Sequence, residues 1–177
     1  YEYMIDNKEI KLKSFQKIIN ELKRDIKKYN IKGILAYNVN YDIVALAETA
    51  QYVLQDCPRL TFETVANGKY RPQFEKLLQK ILGTKIEFYD IWTMATNTLC
   101  KQKTFLANAK FTKKGNIITN AETVYNYVND TEDFVEEHTA LSDAIIESEI
   151  LARIFANGCG LQKQEYMPFR KLKGLIA

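Results

Sequence analysis

The sequence predicts an α/β fold, and two observations predict it. Short apolar runs of strand character alternate with longer segments of helical period, the pattern of strands covered by helices. With 177 residues and 46% hydrophobic content, the chain is long and apolar enough to bury one domain core.

The elements follow in order. Residues 1–5 read as the end of a strand. A helix is predicted from Ser14 to Tyr29, because Phe15, Ile18, Ile19, Leu22, Ile26 and Tyr29 recur on one face with lysines opposite. Ser14 is its N-cap, and Gly33 breaks the pattern. Residues 34–37, Ile-Leu-Ala-Tyr, form an all-apolar run expected of a strand covered on both faces. A second helix is expected from about Tyr41 to Gln55, ended by Cys57-Pro58. Residues 57–73 carry two of the three prolines and Gly68, and read as irregular. Residues 74–82 read as a short helix closed by Gly83. Residues 85–89 alternate as a strand does. Asp90 then reads as the N-cap of a helix through Ile91, Trp92, Met94 and Ala95, not as a metal ligand. Residues 110–119 read as a hairpin or ordered loop, and residues 121–128 as helical. A last long helix is expected over residues 139–156, with Leu141, Ala144, Ile145, Ser148, Leu151, Ala152 and Phe155 as its buried stripe, ended by Gly158. Residues 161–177 form a basic tail.

Composition narrows the function classes. No apolar run approaches a membrane span. The three cysteines, Cys57, Cys100 and Cys159, are widely spaced and odd in number, which suits reduced thiols in a cytoplasmic protein better than a disulfide framework or a zinc cluster. The net charge of +3 conceals segregation. Residues 11–32 hold eight Lys or Arg against two acids, and residues 97–121 hold five Lys and no acid. Residues 130–149 hold eight acids and no Lys or Arg. Basic surface attracts phosphate, and a carboxylate cluster attracts divalent cations. Solvated helix faces account equally well for the first basic run.

Two segments carry candidate chemistry. In residues 37–42, Tyr-Asn-Val-Asn-Tyr-Asp, an apolar strand ends, a polar turn follows and Asp42 opens a helix. Ligands of open α/β sheets bind at such strand ends. Read alone, Asn38 caps the helix and Asp42 complements its dipole. In residues 137–144, Glu-His-Thr-Ala-Leu-Ser-Asp-Ala, the chain's one histidine, His138, precedes a helix whose first turns hold Asp143. Histidine is the side chain suited to proton transfer near neutral pH. Phe88, Tyr89 and Trp92 read as core more readily than as base-stacking platforms.

Together, Asn-x-x-x-Asp after an apolar strand and His-x-x-x-x-Asp at a helix start resemble the second and third motifs of the DnaQ-like (DEDDh) 3′→5′ exonucleases. The resemblance spans residues 34–155, although only these two segments are specific. It implies an RNase H-like fold, with a mixed central sheet flanked by helices, and two divalent cations, Mg²⁺ or Mn²⁺. It also implies hydrolysis of phosphodiester bonds from the 3′ ends of single-stranded or frayed DNA or RNA. By the resemblance, Asp143 ligates the metal that holds the attacking water and His138 is the general base. Asp42 serves the second metal, and Asn38 is a polar residue beside the substrate or the carboxylates. His rather than Tyr in the third motif indicates the DEDDh branch. A polymerase partner or a homodimer is compatible with the family.

The family's first motif, Asp-x-Glu on the first strand, has no counterpart before Asn38. Asp6-Asn7-Lys8-Glu9 has the wrong spacing. The resemblance therefore makes residues 1–5 the third strand, makes residues 1–160 an N-terminally incomplete exonuclease domain, and leaves the first strands upstream of Tyr1. The alternative is a nucleic-acid-binding or scaffold module that keeps the fold without catalysis.

Overall fold

The computed structural model describes residues 2–7, 11–54, 71–132, 134–135 and 139–175. It is a mixed α/β structure in which β1 (Gly33–Ala36) and β2 (Glu87–Asp90) pair as a parallel two-stranded sheet among the described residues. The chain divides into two compact units, one of residues 1–32 and 43–87, the other of residues 33–42 and 88–177.

In the first unit, residues 2–6, expected as a strand, are instead a short helix, α1 (Glu2–Asp6). The Asn7 N–H donates to the Tyr3 carbonyl at 3.0 Å, so this stretch satisfies its backbone locally. Five residues of mixed polarity carry too little periodicity to separate the two states. The amphipathic helix α2 (Phe15–Tyr29) forms where expected: the Ser14 side chain accepts from the Lys17 N–H. It ends one turn before Gly33, at Asn30 in the left-handed conformation (φ 52°), a position asparagine tolerates. Ile19 and Ile26 are buried, whereas Ile18 and Tyr29, placed on the same face by periodicity, are exposed. Helix α3 (Val39–Leu54) buries Ile43, Val44, Ala47 and Ala50. Helix α4 (Arg71–Leu82) starts three residues earlier than its apolar pattern, and Gly83 follows with φ 73°. A proline at position 72 is accepted there because the first turn needs no N–H donor from it. The rest of the stretch expected to be irregular, residues 57–70, lies outside the described residues. α2 packs on α4.

In the second unit, β1 is only half-buried along its length, not covered on both faces as its composition implies. β2 alternates, with Phe88 and Asp90 inward. Helix α5 (Ile91–Asn97) follows directly, with the Asp90 side chain as its N-cap. After a 3₁₀ turn (Leu99–Lys101) come α6 (Lys103–Ala107) and a tight hairpin. The hairpin has a bridge between Phe111 and Ile117, and its turn residue Gly115 takes φ 70°. Helix α7 (Ala121–Asn129) is capped by Asn120, and α8 (Ala140–Ala156) by Thr139 in a capping box with Ser142. α8 packs on α5 and α7. Ile91, Met94, Leu99, Cys100, Phe105, Ile117, Val124, Ile146, Ile150, Ile154 and Leu172 make up the core. The stripe of α8 facing that core is Ile146, Ile150 and Ile154, not the predicted one: Leu141, Ile145 and Phe155 are 73%, 51% and 45% exposed. This helix is apolar on more than one face, so periodicity alone left two registers.

Residues 161–175 belong to the second unit. Their 3₁₀ segment (Pro168–Leu175) lies against α5, with Pro168 and Leu172 buried. Cys100 and Cys159 are free thiols, and burial pushes the Cys100 thiol up to about 12. Cys57 lies outside the described residues. Among the described residues no helix is long and apolar enough to cross a membrane.

Candidate active site

The site is built where β1 and β2 end side by side. β1 delivers Asn38 and Asp42 to the first turn of α3, and β2 delivers Asp90 to the start of α5. Asn38 adopts φ 63°, a left-handed conformation that turns the chain from strand into helix.

Asp90 is fully buried and is the hub. One carboxylate oxygen accepts from the Val39 N–H at 3.0 Å. The other accepts from the Thr93 N–H at 2.7 Å and the Thr93 hydroxyl at 2.5 Å. A single carboxylate therefore satisfies the first turns of two helices, α3 and α5. An anion at two helix N-termini is electrostatically favoured. This confirms Asp90 as the cap of α5 and adds its hold on α3, which no local pattern signals because Val39 and Asp90 are remote in sequence.

Gln164 is the second positioning residue, and the sequence reading passed over it. Its Oε1 accepts from the Asn40 N–H at 2.7 Å, and its Nε2 donates to Asn38 Oδ1 at 2.7 Å. Its neighbours are tied down as well. The Gln162 carbonyl accepts from the Asp90 N–H at 2.9 Å, and the Glu165 N–H donates to the Thr93 hydroxyl at 3.0 Å. Asn38 is thus held by protein, with its amide oxygen engaged.

Asp42 is exposed, in the first turn of α3. Partial desolvation by the surrounding protein raises its pKa above the usual carboxylate value, and the negative charges of Asp90 and Asp143 raise it further. A hydrogen bond from its own backbone acts in the opposite direction. Asp143 is half-buried in the first turn of α8, its N–H bonded to the Thr139 carbonyl at 2.9 Å. Asp143, about a hundred residues away in sequence, thus adds the smallest of these effects at Asp42. Their third expected companion, His138, lies outside the described residues.

Carboxylate oxygens are the donors that hard divalent cations take, so the residues fit such an ion in kind. Asp90 is committed to helix caps, which leaves Asp42 and Asp143 as donors. Among the described residues no group of three His, Cys, Asp or Glu side chains is spaced to hold a metal ion.

Comparison with family models, curated proteins and solved structures returns no match.

The same unit carries a cavity of about 390 Å³ lined by Tyr37, Asn38, Trp92, Asn116, Ile118 and Phe169, among others. Phe88 is core, as read from the sequence, but Trp92 is only half-buried and forms part of this wall. The five lysines of residues 97–121 are all exposed.

Proposed function

We propose that this chain is a metal-dependent 3′→5′ exonuclease of RNase H-like fold, acting on single-stranded or frayed DNA or RNA. The observation that carries the reading is the placement of Asp42 in the first turn of α3, just past β1, with Asp143 in the first turn of α8 of the same unit; the charge of Asp143 adds to the rise of the Asp42 pKa, after desolvation and Asp90. The resemblance of the two segments to motifs of one nuclease family supports the same reading.

In this reading Asp42 and Asp143 would hold divalent cations, Mg²⁺ or Mn²⁺, whose chemistry when bound is to acidify water and shield the scissile phosphate. His138 takes the proton of the attacking water, the role its resemblance assigns. Asn38, fixed by Gln164, presents a polar edge beside the carboxylates. The exposed lysines of residues 97–121 supply the phosphate-binding surface.

The test uses 5′-labelled single-stranded DNA and RNA with Mn²⁺, an EDTA control, and the His138→Ala and Asp143→Asn variants. A ladder shortening from the 3′ end, abolished by EDTA and cut at least about a hundredfold by either substitution, is expected. Strand binding without cleavage, in this chain and in versions extended upstream of Tyr1, would replace the exonuclease with a non-catalytic nucleic-acid-binding module.

A further inference from the structure

The geometry points to the cavity beside Asn38 as a nucleobase pocket. Its walls are planar and apolar, formed by Trp92, Phe169 and Tyr37, with Ile117 and Ile118 from the hairpin. Among the described residues no charged side chain lines it. At about 390 Å³ it falls within the range of small-molecule sites, with room for one heterocycle and part of its sugar.

The walls are held in place. Trp92 Nε1 donates to the Thr119 hydroxyl at 2.8 Å, and the Tyr37 hydroxyl donates to the Thr119 carbonyl at 2.5 Å. The Trp92 and Phe169 rings stack with centroids 5.9 Å apart and planes 26° apart. A base entering this space meets fixed aromatic surface, so little ordering opposes binding.

The polar edge is amide rather than ionic. The side chain of Asn116 lines the cavity and has no hydrogen-bond partner among the described residues. An amide offers both a donor and an acceptor, the complement of a base edge. An uncharged planar heterocycle with hydrogen-bonding atoms on its rim satisfies the whole lining. An ionic ligand would find no charged partner among the described lining residues.

The hairpin adds the phosphate side. Thr112 and Asn116 line the cavity, and the exposed Lys113 and Lys114 lie between them in the turn. A base seated here would have its backbone phosphate near these lysines. The choice of a nucleobase among planar heterocycles rests on the nucleic-acid reading above; the cavity's shape and lining do not.

Trp92 is the only tryptophan in the chain, so the pocket carries its own reporter. Adenosine and an oligodeoxyadenylate are titrated separately into the Asp143→Asn chain in EDTA, with Trp92 fluorescence as the readout. Ile118→Phe fills the cavity without adding a tryptophan, and Asn116→Ala removes the amide edge. Unchanged far-ultraviolet circular dichroism certifies that both variants fold. Saturable quenching is expected, weakened about tenfold or more by Ile118→Phe, the scale of losing one stacked base. Quenching by adenosine identifies a pocket for free nucleosides as well, and quenching by the oligonucleotide alone a pocket for a base within a strand. No quenching by either, or quenching that Ile118→Phe leaves intact, overturns the pocket. Because cleavage plays no part, a chain that cuts DNA while Trp92 stays silent keeps the exonuclease and loses the pocket. A quenched chain that never cuts does the reverse.

Discussion

Two aspartates show how the same side chain takes opposite roles. Asp90 has traded water for three protein donors, and removing it orphans the Val39 and Thr93 N–H groups together. Asp90→Ala is expected to cost about 2–4 kcal/mol, more than an ordinary cap because two helix starts lose their acceptor. Urea unfolding measures it, and a loss below about 1 kcal/mol would contradict the hub. Asp42 is partly desolvated and has, as a lesser effect, like-charged neighbours. Its folded-state pKa lies above its ordinary value of 3.8, so between the two the native state binds more protons than the unfolded one. Its contribution to stability therefore falls as pH rises from 3.8 through the raised value. Asp42→Asn should remove that fall, leaving the variant relatively more stable than the parent at neutral pH than at pH 3. Unfolding midpoints of both chains across the acidic range check the sign. Mn²⁺ should reverse it for the parent alone if Asp42 is a metal ligand.

At the scale of elements, the caps were the most legible features. Ser14 and Asp90 cap helices as expected, because a short polar side chain reaches a backbone donor three residues on, and that geometry depends on local sequence alone; Thr139, expected as the first helical residue, is the cap of α8 instead. Helix faces were less legible. On α8 two apolar stripes compete, and the core selected Ile146, Ile150 and Ile154. Ile150→Ala should cost about 2–5 kcal/mol, as expected for a fully buried side chain. Ile145→Ala should stay within about 0.5 kcal/mol. Equal effects would mean that the register of α8 is mistaken; paired denaturant titrations decide.

On the scale of the whole molecule, the C-terminal stretch shows what composition conceals. Residues 161–177 look like a solvated tail, since Lys163, Arg170, Lys171 and Lys173 dominate them. Yet Leu172 enters the second unit's core, Glu165 and Lys171 form an ion pair, and Gln164 holds Asn38 and Asn40. Leu172→Ala should lower stability by about 2–5 kcal/mol. Deleting residues 161–177 should abolish the near-ultraviolet dichroism of Trp92, which loses Phe169 from its face. A deletion variant with parental dichroism and stability would show the stretch to be dispensable.

The sequence by itself determined the capped starts of α2 and α5, the two strands that pair, the turn at Gly115 and the two segments that hold Asp42 and Asp143. Each depends on interactions within a few residues, or on a period repeated over several turns. Tertiary structure decided the rest. It made residues 2–6 a helix, left β1 half-covered, chose between the two stripes of α8 and recruited Gln164 and Asp90 to the start of α3. Those outcomes depend on which surfaces meet, and contacts between residues 51 to 126 positions apart leave no mark in either chain segment alone.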